Sequence, residues 1–367
     1  MMPARWRRCC LGRGLLAVLG AATLALGAVA CGAVSPAARE SEPPAAAPRL
    51  AALPPGVQAA VEGARREGRV VVFGQTSDPA QEERVRRGFR EFYGFDLAIE
   101  LVSGLHPQKA AELTAAARQG VASGIDLFWT DLSIKVLLDA GGLVQEVDWP
   151  MELGLPREYL LDQGMLRVHD GFLANVFYNT QRTPPELVPQ CYEDLLHPRL
   201  RGAIAAPRDP TPLMHMTFAL GEARATRIVE GLSEQQVAFL PTYPEVRNRV
   251  AAGEFLIGLG TEPTRDARRG APLANAPLDV AVVTPWGFVL LRDAAHPHAA
   301  RLLAYYFVTP AGQALLDEVW ANTLATTEHG TAWLLTRDKT VFTVTREFIE
   351  NDAGRLKEKY AAILGLR

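Results

Sequence analysis

The stretch Glu67-Gly-Arg-Val-Val-Val-Phe-Gly-Gln-Thr-Ser77 sets the frame for the whole chain. Four apolar β-formers in a row, residues 70–73, predict a strand covered on both faces, as in a parallel sheet. Residues 74–77 then make a small polar loop at the carboxyl end of that strand. Such a loop offers backbone N–H groups, an amide and two hydroxyls at the edge where open α/β sheets bind ligands. Gln75, Thr76 and Ser77 are therefore candidate ligand-binding residues. The same hydroxyls, with Asp78, also suit a helix cap.

Working outward, Asp78-Pro79 predicts a helix start, with Val85, Phe89 and Phe92 on its apolar face. Leu97, Ile99 and Leu101 alternate with other residues and predict a second strand. Strand–helix–strand is the seed of a parallel sheet. A helix over 108–119, a third strand over 125–131 and a helix over 132–140 closed by Gly141-Gly142 extend the pattern. Thr130 and Asp131 leave that third strand beside Trp129. They are candidates for the ligand, with a cap for the next helix as the plainer alternative.

Further strands are expected over 172–178, 203–206, 255–259, 280–283 and 286–291, and helices over 213–221, 246–252, 297–307, 311–320 and 345–364. Tyr178 ends one strand. Thr211 lies in the polar turn Arg208-Asp-Pro-Thr-Pro212 ahead of a helix, where N–H groups point outward and favour an anion. Thr261 and Glu262 follow another buried strand. Tyr243 and Trp286 are candidate aromatic walls. His296, His298, Tyr305 and Tyr306 sit on or beside a helix and read as packing residues.

The 367 residues suffice for about two domains, and 48% hydrophobic with 22% charged residues is ordinary for a globular chain. Residues 1–30 read as a signal peptide: Arg5, Arg7, Arg8 and Arg13 form a basic start, and 15–30 is an apolar and small-residue run. That run of 16 is short for a spanning helix, which needs about 20 residues. It ends Ala28-Val-Ala-Cys31-Gly32, small residues before a cysteine, as in the lipobox of bacterial lipoproteins. The usual leucine is Ala28 here. Lipidation of Cys31 is the expectation; ordinary Ala-x-Ala cleavage and an uncleaved anchor are the alternatives. Residues 31–55, rich in Ala, Pro, Ser and Glu, read as a flexible, lipid-anchored tether.

Loss of the signal's four arginines takes the net charge from −3 to −7. A mildly acidic chain argues against nucleic acid as partner. Of the four cysteines, Cys9 and Cys10 leave with the signal, so Cys31 and Cys191 make neither a disulfide framework nor a zinc pattern. No nucleophile–base motif, His-Glu-x-x-His or phosphate loop is present, so no catalytic residue, metal or cofactor is expected and the chain does not read as an enzyme.

Seven stretches, in order, resemble one family. They are Glu67-Gly-Arg-Val-Val-Val-Phe73, Phe89-Arg-Glu-Phe-Tyr-Gly-Phe-Asp-Leu97, Ile125-Asp-Leu-Phe-Trp129, Val176-Phe-Tyr-Asn-Thr180, Tyr192-Glu-Asp-Leu-Leu-His-Pro-Arg-Leu-Arg-Gly-Ala-Ile204, Val250-Ala-Ala-Gly-Glu-Phe255, and His296-Pro-His-Ala-Ala-Arg-Leu-Leu303 with Thr309-Pro-Ala-Gly-Gln313. The family is the extracellular solute-binding proteins of ABC importers, in the branch that includes ferric, thiamine, polyamine and aminophosphonate binders. The resemblance runs over about 67–366. It implies an α/β, two-lobed periplasmic-binding-protein fold (type II-like) with a ligand cleft between the lobes. Residues 56–171 plus 270–309 would form one lobe and 172–269 plus 310–367 the other. It also implies a monomer, exported to the periplasm or cell surface, that takes a small-molecule ligand to a membrane permease and its ATPase. A sensory subunit of a membrane signalling system would look the same. Ferric binders of this branch place a tyrosine pair in the region corresponding roughly to 213–222, and this chain has none there. The Thr, Ser, Gln and Asn of the loops fit a polar organic or anionic solute held by hydrogen bonds. Asp131 and Glu262 leave a cationic group on the ligand open.

Overall fold

A computed structural model describes residues 50–366; the expected signal peptide, Cys31 and most of the expected tether lie outside them. The last tether residues are already part of the fold: a 3₁₀ turn, Leu50–Ala52, leads to Leu53, which is buried, and the first helix starts at Pro55.

In chain order the elements are α1 (Pro55–Glu67), β1 (Arg69–Gly74), α2 (Pro79–Tyr93), β2 (Ala98–Ser103), α3 (His106–Arg118), β3 (Leu127–Asp131), α4 (Leu132–Ala140), α5 (Trp149–Leu153), β4 (Leu160–Asp162), β5 (Met165–Gly171) and β6 (Asn175–Asn179). Then come β7 (Ile204–Pro207), α6 (Thr211–Leu220), α7 (Glu222–Glu234), β8 (Ala238–Leu240), α8 (Tyr243–Ala251), β9 (Ile257–Gly260), α9 (Thr264–Arg268), β10 (Leu273–Asn275) and β11 (Val280–Leu290). The chain closes with α10 (Pro297–Val308), α11 (Pro310–Trp320), α12 (Thr331–Thr336), β12 (Thr340–Thr343), α13 (Arg346–Phe348) and α14 (Gly354–Leu364).

Two sheets result, one per lobe. The first has the order β2-β1-β3-β11-β5-β4, with β12 beside β11; the second runs β10-β6-β9-β7-β8. β1 is central to the parallel part, paired with β2 and β3, and its residues 70–74 are all buried. Covering on both faces is what the four-residue apolar run requires.

β11 joins the lobes. It is one strand of 11 residues, not the two short strands expected. Its first half pairs with β12, and Val282 packs into the second lobe's core. Its second half lies antiparallel between β3 and β5, with Phe288 and Leu290 in the first lobe's core. Pro285 lies inside the run and lacks an N–H donor. The chain nevertheless stays extended through it, because each half is held by a different neighbour.

Two segments sit in the other lobe from the one expected. Residues 273–275 pair with β6, so they belong to the second sheet. Helix α11 packs on the first lobe: Gln81 Nε2 donates to the Val319 carbonyl at 3.1 Å and Arg84 forks onto Glu318. The expected single helix over 345–364 is broken by a π turn at Ile349–Ala353. Helix α7 was not expected, although Ala225, Ile228, Val229 and Leu232 repeat along it at helical spacing and all four are buried; strands β4 and β5 were not expected either.

Several motif residues are structural. The carboxylate of Asp126, buried, accepts from Val71 N at 2.8 Å and from His296 N at 2.8 Å, tying β1 to the start of α10. Asn179 donates to the Val250 carbonyl at 2.7 Å and accepts from Gln181 N at 2.9 Å, so it fixes a turn. The Asp78–Gln81 capping box holds the start of α2, an arrangement worth about 1 kcal/mol. Cys191 is buried.

Candidate functional site

The carboxyl ends of β1 and β3, the crossing segment after β5, and the ends of β7 and β9 surround two adjoining cavities. The larger, about 740 Å³, takes Asp131, Leu132 and His106 from the first lobe, Thr211, His215 and Tyr243 from the second, and Ile349 and Lys357 from the C-terminal segment. The smaller, about 230 Å³, is lined by Gln75, His169, Arg247, Glu262, Arg265 and Trp320, among others. Leu173, Thr261 and Trp286 line both, so the two are compartments of one interlobe cleft.

Of the residues singled out by sequence, Asp131, Thr211, Tyr243, Thr261 and Trp286 line the larger compartment, and Gln75, Thr261, Glu262 and Trp286 the smaller. Four others lie elsewhere. Thr76 offers its carbonyl to Trp320 Nε1 at 3.0 Å, and Ser77 Oγ donates to Glu82 at 3.2 Å, so this half of the loop serves packing and the helix start. Thr130 is fully buried and its hydroxyl has no partner among the described residues, because alternation along β3 turns it away from the cleft while Asp131 ends the strand at the rim. Tyr178 sits in β6 between β10 and β9 and packs against the second lobe's core.

Asp131 both caps and lines. Its Oδ1 accepts from Ser133 N at 2.8 Å and Ser133 Oγ at 2.5 Å, holding the first turn of α4. Opposite it in the ladder stands Trp286, whose other neighbour is His169. The indole stacks on the His169 ring, 5.5 Å between centroids, and His106 meets it edge-on at 5.6 Å. Trp286 thus forms the partition between the compartments.

Three histidines in the cleft are kept neutral. Burial lowers His215 to about 4, and its Nδ1 faces Thr284 Oγ1 at 3.1 Å. Burial lowers His169 to about 3; its Nδ1 accepts from Trp129 Nε1 at 3.1 Å, which leaves the proton on Nε2. His106 is also lowered by burial, against the hydrogen bond its Nε2 makes to the Trp129 carbonyl. The sequence signal for His106, the His-Pro start of a helix, reads as structural, and His169 and His215 carried none.

Tyr243 lies over the bare backbone of Gly260, where a Cβ would come within 2.8 Å of its ring. Gly260 holds φ +133°, a conformation that favours glycine. Burial raises the Tyr243 phenol well above its ordinary value, and the carboxylates of Asp209 and Asp131 raise it further. Burial also raises the Glu262 carboxyl, against the hydrogen bond from Thr264 N at 2.6 Å. Arg247 is occupied by Asp266 and the Thr261 hydroxyl.

The larger compartment is mainly apolar, with Leu105, Leu132, Leu137, Leu173, Met214 and Ile349 among its walls. The expectation of a polar cleft is met in the smaller compartment only. The apolar wall residues come from helix starts and crossing segments whose patterns looked like ordinary core. Among the described residues no group of three or more His, Cys, Asp or Glu side chains is placed to hold a metal ion.

No family model matches the chain, and no curated protein matches it in sequence. Solved structures do match in fold. The substrate-binding protein of an ABC transporter from Agrobacterium tumefaciens superimposes with a TM-score of 0.67 at 16% identity, covering 82% of this chain and 96% of that one. Iron-bound HitA from Pseudomonas aeruginosa gives 0.61 at 16%, covering 80% and 99%. The periplasmic binding protein AfuA from Actinobacillus pleuropneumoniae, with fructose-6-phosphate bound, gives 0.61 at 19%, covering 82% and 99%. The chain has the two-lobed periplasmic-binding-protein fold.

Proposed function

We propose that this chain is the exported solute-binding component of an ABC importer. It captures a small organic solute, polar or anionic, in the interlobe cleft and hands it to a membrane permease driven by its ATPase. The observation that carries this reading is the composition of the cleft: Asp131, Trp286 and Gln75 from one lobe face Thr211, Tyr243 and Thr261 from the other. Walls from two lobes grip a ligand by hinge closure, with no covalent step. The solved structures of like fold are binding proteins, which agrees with a role in capture and not in catalysis.

The likeness to iron-bound HitA raises ferric ion as the cargo. The donors present fit it poorly. Tyr243 is the one tyrosine among the residues lining either compartment, and its raised phenol resists the deprotonation that ferric ligation needs. Native mass spectrometry of the purified chain, followed by thermal melting with the released solute, tests the reading. Retained solute and a raised Tm support it. No retained solute and no shift with organic solutes or ferric ion would sink it.

Within the same reading the chain is a lipoprotein, processed at Cys31 and held to the membrane by lipid. Among the described residues no helix is long and apolar enough to cross a membrane. Cys31→Ser should release the protein from the membrane fraction; retention would point to an uncleaved anchor.

A further inference from the structure

The charged side chains of the cleft divide sharply by whether the chain itself satisfies them. Asp131 is taken up by the cap of α4. Asp209 accepts from Thr211 N at 3.1 Å and Thr211 Oγ1 at 2.8 Å, and Lys357 lies 3.4 Å away. Arg247 pairs with Asp266, and Glu262 accepts from Thr264 N. Arg265 is the exception. No carboxylate lies within ion-pair reach of it among the described residues, and its Nε is buried without any partner. It lines the smaller compartment together with Gln75, His169 and Asn322. Burial, and next the like charge of Arg269, hold its guanidinium below the ordinary value, against the opposite pull of the more distant Asp266 and Asp78 carboxylates.

A buried guanidinium N–H left unmade is costly, and an oxyanion is the partner whose geometry matches its fork. The adjoining compartment asks for something else. It is wide, mainly apolar, and carries Leu105 and Leu137 on its wall, 71% and 46% exposed. Exposed leucines grouped at a cleft mark a surface that a ligand covers.

We propose that the solute is an amphipathic organic oxyanion, its anionic group forked onto Arg265 in the smaller compartment and its apolar body seated past Trp286 in the larger. The inference rests on the cleft being the solute site. A carboxylate and a phosphate would present the same fork, so the test separates them.

Four matched probes are titrated into the full chain: 4-phenylbutyrate, 4-phenylbutyl phosphate, 4-phenylbutylamine and 4-phenylbutanol. Binding is read by calorimetry and by the fluorescence of Trp286 and Trp320, both of which line the smaller compartment. One oxyanion should bind at least about tenfold tighter than the amine and the alcohol, and the better of the two acids identifies the head group. Arg265→Gln should weaken that acid about tenfold or more without lowering the melting temperature of the free protein, since among the described residues Arg265 has no ion-pair partner to lose. Arg265→Lys, which keeps charge but not the fork, should fall between. Amine binding as tight as the acid, or an Arg265→Gln protein that binds the acid normally, overturns the proposal. Failure of all four probes overturns it too. The solute-binding reading itself then stands or falls on whether the purified chain retains any solute.

Discussion

The indole of Trp286 stacks on the imidazole of His169, with planes 23° from parallel, and stands directly opposite Asp131 in the β11–β3 ladder. One side chain, carried by the strand that crosses between the lobes, therefore lines both compartments of the cleft. Trp286→Ala should lower solute affinity at least about tenfold and cost stability by about 1–3 kcal/mol, the loss of a half-buried aromatic wall. Trp286→Phe should retain most of both. Calorimetric titration beside urea unfolding separates the two effects, and wild-type affinity in the alanine variant would remove Trp286 from the site.

Gly260 is where β9 makes room for Tyr243. An alanine there would push against the ring at 2.8 Å and would have to hold φ +133°. The expected cost is about 1–3 kcal/mol, with weaker solute binding as Tyr243 moves. A Gly260→Ala protein with unchanged Tm and unchanged affinity would show that the contact relaxes freely.

Acid should act through the buried histidines before it reaches most carboxylates. His215 titrates at about 4 and His169 at about 3 in the fold, both lowered by burial, whereas unfolded histidine takes its proton near ~6.5. As pH falls below about 6.5 the unfolded chain binds protons that the folded chain refuses, so stability drops toward pH 4. Each site adds a slope of at most about 1.4 kcal/mol per pH unit. His215→Gln should flatten the fall of the urea midpoint between pH 6.5 and 4.5. An unaltered slope would mean that His215 is not kept neutral by the fold.

Away from the cleft, Lys135 is buried and its Nζ lies 2.7 Å from Asp139 and 3.3 Å from Asp162; Arg346, ahead of the π turn, binds the same two carboxylates. This cluster fastens the C-terminal segment to the first lobe. Burial raises the Asp162 carboxyl, but the Arg346 hydrogen bond and the Lys135 charge outweigh it and leave the value lowered. Its contribution is present above the ordinary carboxylate range and is lost as pH falls through the lowered value. Lys135→Met should cost about 2–4 kcal/mol, because it removes the buried cation and leaves Asp139 and Asp162 to Arg346 alone, and Arg346→Ala less, about 1–2 kcal/mol, since Arg346 is a third exposed. A double-mutant cycle measures their coupling, and strict additivity would show that the four charges do not act together.

The strand–loop of 67–77 shows how far local pattern carried. Its apolar run fixed a doubly covered strand, and its Asp78-Pro79 exit fixed a helix start, because both follow from propensity and capping within a few residues. The loop divided in a way no local rule reveals: Gln75 faces the cleft, while Thr76 and Ser77 serve Trp320 and Glu82. Tyr178 and Thr130 lie outside the lining of both compartments for a related reason. Which face of a strand meets the cleft depends on the neighbouring strands, and those pair across long separations.

By itself, then, the sequence determined the class of architecture, the strand ends that could carry a ligand, and five of the larger compartment's polar or aromatic walls, since alternation, caps and strand-terminal polarity are written locally. Tertiary structure alone decided that β11 is one strand shared by two lobes, that His106, His169 and His215 meet the cleft as neutral rings, and that Arg265 stands there with its buried Nε unpartnered among the described residues. Burial and the presence or lack of a partner are relations between distant residues, and it is those relations that set protonation and charge in the site.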